Sequence, residues 1–535
     1  MHVRHKLPLG GVVAGVIALA LAAAPAAGAR VLRVGTYKGI AGQYASIQAA
    51  VNSAHPGDWI LIAPGDYKTS SSSAPKGAAN APAGILITKP RIYLRGMNRN
   101  TVIVDGTKPG SPRCSKSASA QNFGPKDKKG PLGLNGIMVW KAGDVWIQNL
   151  TVCNFLGGAG GDGDTGNEIW WNGGDNSGKV GGHGYYGSYM TTTSTYFKGE
   201  ATAAEYGIFS SNWTGGTWDQ SYASNFNDSG YYIGACQQVC HQTINHAWAE
   251  YNALGYSGSN SGGWMLVENS KFDKNEDGFD TNSQNGDNPP PQNGGCPAGV
   301  APPVAGAPSC WVLTHNLFED NNNPNVPSAG SAAAGPYGTG LSLSGARNDT
   351  VIDNTFENNG AWGAILVPYP DSGGPCTGGV LGWIGPGSCL FDESGDALID
   401  NTFVHNGSFG NPTNGDFALV NLEPGPTDCF SGNVEQGGGA VVSTPSNAEQ
   451  AYPTCNGQTV APSASTSTQS GEFQNEVLCD ARVSLAPGAK PPCAATDHYP
   501  RPSKIVMHPL PKHLATMPNP CAGVPANPWC RARQR

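Results

Sequence analysis

Tyr206-Gly207-Ile208-Phe209, Gly230-Tyr231-Tyr232, Gly255-Tyr256-Ser257 and Gly278-Phe279-Asp280 are versions of one short segment. Their glycines stand 23, 25 and 23 residues apart, and Gly340 and Gly363 repeat the step of 23 after an insertion. A period of this size marks a solenoid, in which each repeat buries its apolar face only against its neighbours. Between the glycines a second segment recurs as Val267-Glu268-Asn269-Ser270-Lys271-Phe272, Val351-Ile352-Asp353-Asn354-Thr355-Phe356 and Leu398-Ile399-Asp400-Asn401-Thr402-Phe403. Apolar and polar residues alternate, which is a strand signal. Asn275, Asn358 with Asn359, and His405-Asn406-Gly407 follow, and are expected to supply the left-handed conformations of tight corners. No repeat contains the run of 3.6-periodic residues that a helix needs. The expected fold is all-β: a single-stranded parallel β-helix with two or three strands per coil.

Composition agrees. Gly 75 and Pro 42 suit a turn-dense chain, and 39% hydrophobic residues argue against disorder. Net charge is −8; between Asn275 and Ala489 there is no lysine, and the only arginines are Arg347 and Arg482. A basic stripe for nucleic acid is therefore missing. Arg4, His5 and Lys6, an apolar run from Gly10 to Ala24 and Ala27-Gly28-Ala29 read as a signal peptide over residues 1–29, with export and no membrane span in the mature chain. Fourteen cysteines then suggest seven disulfides. Neighbours pair most simply: Cys236–Cys240, Cys296–Cys310 and Cys376–Cys389, with Cys114–Cys153 more widely spaced, although connectivity cannot be read from sequence. The β-helix is expected over 30–430, interrupted by loops at 157–205, 283–310, 321–338 and 370–392. Residues 431–535, rich in Pro, Ser and Cys, are expected to form a C-terminal cap or tail. Ser463–Ser470 reads equally well as a flexible linker.

Alignment on the glycines sends Ile208, Tyr231, Tyr256, Phe279 and Leu341 to the core. The next column points outward: Phe209, Tyr232, Ser257, Asp280 and Ser342. Asn282 and Ser344 fall in the outward column two positions on. The long loops flank this strand, so they are expected to wall a binding face along the solenoid axis. Phe209, Tyr232, Ser257, Asn282 and Ser342 are the candidate contacts for a sugar chain, although aromatic residues in such a column also serve as core fillers.

Residues 43–67 carry a short apolar helix pattern after Ser46, the expected N-cap, then Trp59-Ile60-Leu61-Ile62 between Pro56-Gly57 and Pro64-Gly65. With the coils, this resembles the pectin-lyase-like superfamily of right-handed parallel β-helices, whose short N-terminal helix plugs the first coil. That fold hosts lyases, hydrolases, epimerases, tailspikes and adhesins, so the resemblance implies architecture rather than activity. Asn275-Glu276-Asp277-Gly278-Phe279-Asp280 resembles the calcium-binding acidic turn of family 9 pectate lyases, with Glu276 where an aspartate is usual. The resemblance implies a Ca²⁺ held by Glu276, Asp277 and Asp280, with Asn252 one coil earlier as a further ligand. Asp280, Arg347 and Lys271 are the candidates for catalysis, since the family's basic residue has no counterpart directly after the motif. The same residues also suit a plain polar corner. Asp162-Gly163-Asp164-Thr165-Gly166-Asn167-Glu168 offers a second set of spaced oxygens. Two functions stay open: calcium-assisted uronan lyase or related carbohydrate chemistry, and a non-catalytic cell-surface or matrix solenoid that binds a glycan.

Overall fold

The computed structural model describes residues 28–69, 73–158, 164–175, 179–382, 385–455, 468–486 and 488–530. The expected signal peptide up to residue 27, Asp162-Gly163 and residues 463–467 lie outside them. The chain winds as a right-handed parallel β-helix. A full coil carries three strands, as in Gln242–Asn245, Trp248–Glu250 and Leu254–Ser259. The third strand of each coil stacks into an 11-stranded parallel sheet, and the first two belong to a 21-stranded sheet. Residues 157–205 do not break the helix. Ile169–Asn172 and Tyr185–Thr193 are strands in register with both sheets. Dense aromatic residues and displaced glycines hide this coil's period. Coils also continue past 430, to Ser443–Thr444.

The glycine alignment matches the register. Ile208, Tyr231, Tyr256 and Phe279 are direct partners in successive strands, and all are fully buried. A second inward column is a ladder of rings. Phe272–Phe318, Phe318–Phe356 and Phe356–Phe403 stack at centroid distances of 5.4, 4.8 and 5.1 Å. The recurring glycines lie inside strands with ordinary φ, so they are not turn residues. Their role is close approach: a Cβ on Gly255 would strike the Gly278 carbonyl oxygen, one on Gly278 that of Gly340, and one on Gly340 that of Gly363. Gly278→Ala should therefore cost about 1–3 kcal/mol. Gly286→Ala, whose Cβ meets nothing, should cost much less, and paired thermal melts check the difference.

Corners are built differently from the expectation. The left-handed residue is the one before each recurring polar position: Lys274, Asp320, Asn358 and His405 at one corner, His315, Asp353 and Asp400 at the other. The asparagines that follow point inward and hydrogen-bond from coil to coil. Asn354 Oδ1 accepts from Asn316 N and Nδ2, while Asn354 Nδ2 donates to Asn401 Oδ1 at 3.1 Å. Asn275, Asn321, Asn359 and Asn406 form a parallel ladder. Each amide satisfies a buried backbone carbonyl as well, as Asn401 Nδ2 does for Val351.

The helix Ile47–Ser53 closes the first coil. Ser46 Oγ accepts from Ala49 N, and Ile47, Ala50 and Val51 face the core. All fourteen cysteines are paired: the four neighbours suggested above, and Cys429–Cys455, Cys479–Cys493 and Cys521–Cys530. The C-terminal segment does two things. Helix Thr468–Asp480 lays Phe473 on the outward face of the 11-stranded sheet, against Ile365, Ala418 and Trp362. The remainder returns along the solenoid. His508 stacks on Tyr251, Ala515 and Ala522 carbonyls accept from Arg99 and Arg95, and Trp529 Nε1 donates to Ile40 O.

Candidate functional site

The outward column of the 11-stranded sheet runs Met138, Trp170, Phe209, Tyr232, Ser257, Asp280, Ser342, Ile365. It passes from aromatic to polar and back to apolar. The apolar end is covered by helix Thr468–Asp480. Between the two ends lies a cleft of about 950 Å³. The loops after the Asp280 strand, around Ala332–Pro336 and around Tyr369–Ser372 form its walls, joined by Val477–Leu485 of the C-terminal segment. Residues from all four expected insertions thus stand around one face, Asp164 and Asp175 among them.

Asp280 is partly exposed at the floor. Its Oδ2 accepts from Asn282 Nδ2 at 2.7 Å and its Oδ1 from Ser344 Oγ at 3.0 Å. Burial pushes its carboxyl up to about 6, against the pull of those two donors. Asn282 Oδ1 has no partner among the described residues. Ser342 Oγ donates to Asp277 Oδ2, and Phe279 N to Asp277 Oδ1. Burial first, and the Asp280 charge next, hold Asp277 well above the usual carboxylate range. Ser257 lines the cleft beside them.

Phe209 and Tyr232 line the aromatic end but present little of their rings. Each is nine-tenths or more buried, and they pack edge to face at 4.8 Å with Phe209 stacked on Trp170. Tyr232 Oη donates to Asp287 Oδ2 at 2.9 Å, and Tyr206 Oη to Asp228 Oδ2 at 3.1 Å. Opposite, Tyr369 Oη accepts from Gln284 Nε2, and Asn285 N donates to Asp371 Oδ2. Burial and then Asp280, Asp371 and Asp287 all oppose ionisation of the Tyr369 phenol.

Charge is one-sided. Asp164, Asp175, Asp228, Asp280, Asp287 and Asp371 line the cleft, and among the described residues no lysine, arginine or histidine does. Just outside, Lys141 pairs with Asp175.

The remaining candidates lie elsewhere. Lys271 is on the 21-stranded sheet, ion-paired with Asp273 and Glu319. Proximity in sequence misleads there, because the coil turns a corner before Asp280. Arg347 clamps the 370–392 loop, donating to Gly378 O at 2.8 Å and Asp392 O at 3.3 Å. Asn252 belongs to the asparagine ladder: its Oδ1 accepts from Phe226 N and its Nδ2 donates to Asn275 Oδ1. Glu276 faces Arg482, Nη2 to Oε1 at 3.2 Å. Glu276, Asp277 and Asp280 do not converge: they form no group whose oxygens lie within 4.8 Å of one another. The four expected calcium ligands thus point to different neighbours. Of the spaced-oxygen loop, Glu168 is buried with Oε1 accepting from Phe155 N.

No family model matches the chain, and no curated protein does. Among solved structures, the mannuronan C-5 epimerase AlgE6 A-module of Azotobacter vinelandii is similar at 12% identity over 73% of this chain and 94% of that one, with a TM-score of 0.42. Pectate lyase Pel9A is 15% identical over 78% of this chain and 80% of that one, TM-score 0.36. The tailspike of E. coli bacteriophage HK620, in complex with a pentasaccharide, is 14% identical over 74% and 63%, TM-score 0.41. The sheet topology described above is a right-handed parallel β-helix, and these likenesses extend to the fold alone. Asp175, Asp228, Asp287, Asp371 and Tyr369 are site residues that the sequence pattern did not single out. Asp287 stands in a loop and Asp371 on the short antiparallel strand Tyr369–Ser372, both within insertions without period, and the available signal was that those insertions flank the outward strands.

Proposed function

We propose that the chain is an exported glycan-active protein whose cleft binds a neutral polysaccharide and cleaves it by acid–base hydrolysis. One observation carries this: a cleft lined by six aspartates with no cationic side chain among the described residues. A polyuronate would bring further negative charge into that field. A neutral sugar would meet hydroxyl, amide and carboxylate acceptors, with aromatic edges at one end. Asp280, raised to about 6, is suited to carry a proton near neutral pH and give it to the glycosidic oxygen. Asp287 or Asp371 would take the proton of the attacking water, so that one C–O bond breaks as another forms. The lyase reading loses both of its cationic candidates for the base, since Lys271 and Arg347 engage partners outside the cleft. Seven disulfides support an oxidising compartment, and no helix among the described residues is long and apolar enough to cross a membrane.

The test is a panel of neutral and acidic polysaccharides, followed for reducing ends and for the absorbance of unsaturated uronate. Reducing ends from a neutral polymer are expected. Uronate absorbance would overturn the hydrolase reading in favour of elimination. Binding with neither product would make the cleft a recognition surface.

A further inference from the structure

Away from the cleft, Asp349, Asp396 and Asp428 form a third ladder. It lies five residues before the asparagines Asn354, Asn401 and Asn433 in the same three coils. Backbone bonds are alike in the two ladders: Asp349 N donates to Asp396 Oδ1 at 2.7 Å, and Asp396 N to Asp428 Oδ1 at 2.9 Å. The side chains differ. An asparagine supplies an NH₂ to the next coil, as Asn354 does for Asn401 and Asn401 for Asn433. An aspartate supplies none, and stacks a charge instead. Glu393 adds another carboxylate. Glu393, Asp396 and Asp428 are all fully buried, and each offers an oxygen within 4.8 Å of the other two.

Neutralisation from the protein is slight. Asn421 Nδ2 donates to Glu393 Oε1 and to Asp428 Oδ2. Glu393 Oε2 and Asp396 Oδ2 have no partner among the described residues. None of the ion pairs there includes any of the three. Arg347 attracts Asp396 from nearby, but its Nε and Nη2 donate to Asp392 O and Gly378 O and it forms no ion pair with the three. Buried carboxylates left this way are costly, and unpartnered oxygens add to the cost. Asparagine at the same positions would complete the ladder without charge.

We propose that Glu393, Asp396 and Asp428 hold a hard divalent cation of the calcium type at this corner. Ca²⁺ takes carboxylate oxygens at roughly 2.3–2.6 Å, so oxygens up to about 4.8 Å apart can share one ion. The donor set is oxygen only, which disfavours zinc and copper. The ion would tie the return strand Ser388–Phe391, whose Leu390 lines the cleft, to the Asn421–Asp428 loop that follows Val420 on the same wall.

The test uses the full disulfide-bonded chain, stripped with chelator and desalted. Calcium titration by calorimetry and terbium luminescence should show a bound equivalent, and calcium should raise the apparent Tm by several degrees. Asp396→Asn restores the residue type of the neighbouring ladder, so it should fold, lose that equivalent and lose the calcium-dependent part of the Tm. Glu393→Gln should weaken binding at least tenfold. A chain that binds no calcium at millimolar concentration, with a Tm indifferent to chelator, would overturn the proposal and leave the three carboxyls sharing protons. Undiminished binding by both variants would overturn it too, by putting the ion elsewhere.

Discussion

Asp280→Asn should lower turnover by about 10²- to 10⁴-fold, the usual contribution of a positioned acid, while leaving glycan binding and the fold in place. The geometry makes this a clean substitution. Asparagine keeps an oxygen for Ser344 Oγ. Its NH₂ would replace the oxygen that now accepts from Asn282, and Asn282 can answer by turning its amide, because its own Oδ1 is unpartnered among the described residues. Only the transferable proton is lost. The wild-type rate should also fall as pH rises through about 6, where Asp280 ionises and can no longer donate. Turnover that survives in the variant, with the same limb above pH 6, would remove Asp280 from the acid role. Asp287→Asn and Asp371→Asn, assayed alongside, identify the base: the residue that takes the water proton should cost a comparable factor, and the other much less. Asp287 also accepts from Tyr232, so its variant is read with a binding measurement to separate positioning from chemistry.

The floor of this site was legible because a β-helix has only two regularities, and both are local. A constant coil step sets which residues are neighbours, and a period of two sets which face they take. Glycines 23 or 25 residues apart, resuming after an insertion, were enough to put Phe209, Tyr232, Ser257, Asp280 and Ser342 in one outward column. What stands above that floor was not legible. Asp287 and Asp371 sit in insertions whose conformation depends on contacts with each other's walls, such as Asn285 N on Asp371. Helix Thr468–Asp480 crosses more than a hundred residues of sequence separation to cover Ile365. Nothing periodic announces a long-range contact of that kind.

Two misreadings have a common cause. The corner asparagines were visible as a pattern, but turn chemistry explains Asn358 and not Asn275, whose left-handed neighbour is Lys274. The buried ladder that keeps Asn275 is a contact between coils, and a single segment does not display it. Lys271, Glu276 and Asn252 are close to Asp280 in sequence or one coil away, which suggests a common site. Each is turned by its corner toward a different partner: Glu319, Arg482 and Asn275.

Unfolding in the presence of chelator should show a chain more stable at pH 5.5 than at pH 8.5. Several carboxyls away from the proposed cation corner are buried and raised. Glu276 is pushed up to about 8, since burial outweighs the attraction of Arg482, and Asp416 to about 7, chiefly by burial. Burial also holds Glu168 and Asp480 well above their usual range. A carboxyl raised in the native state binds more protons there than in the unfolded chain. Its contribution is full below the unfolded value near 4.5 and is lost as pH rises through the folded one. Glu276 alone then forfeits on the order of 4 kcal/mol by pH 8.5, at 1.36 kcal/mol per unit. Asp58, held low by Arg30 despite its burial, works the other way, but only in the acid range below 4. Apparent Tm should therefore fall by about 5 °C or more across this window, given an unfolding entropy of roughly 1 kcal/mol/K for a chain of this length. Glu276→Gln keeps the side chain's shape and an acceptor for Arg482 while removing its titration, so its melting curve should depend less on pH than the wild type's. A Tm that rises from pH 5.5 to 8.5 would mean that these carboxyls are already ionised in the folded chain, and that charges such as Arg482 outweigh burial.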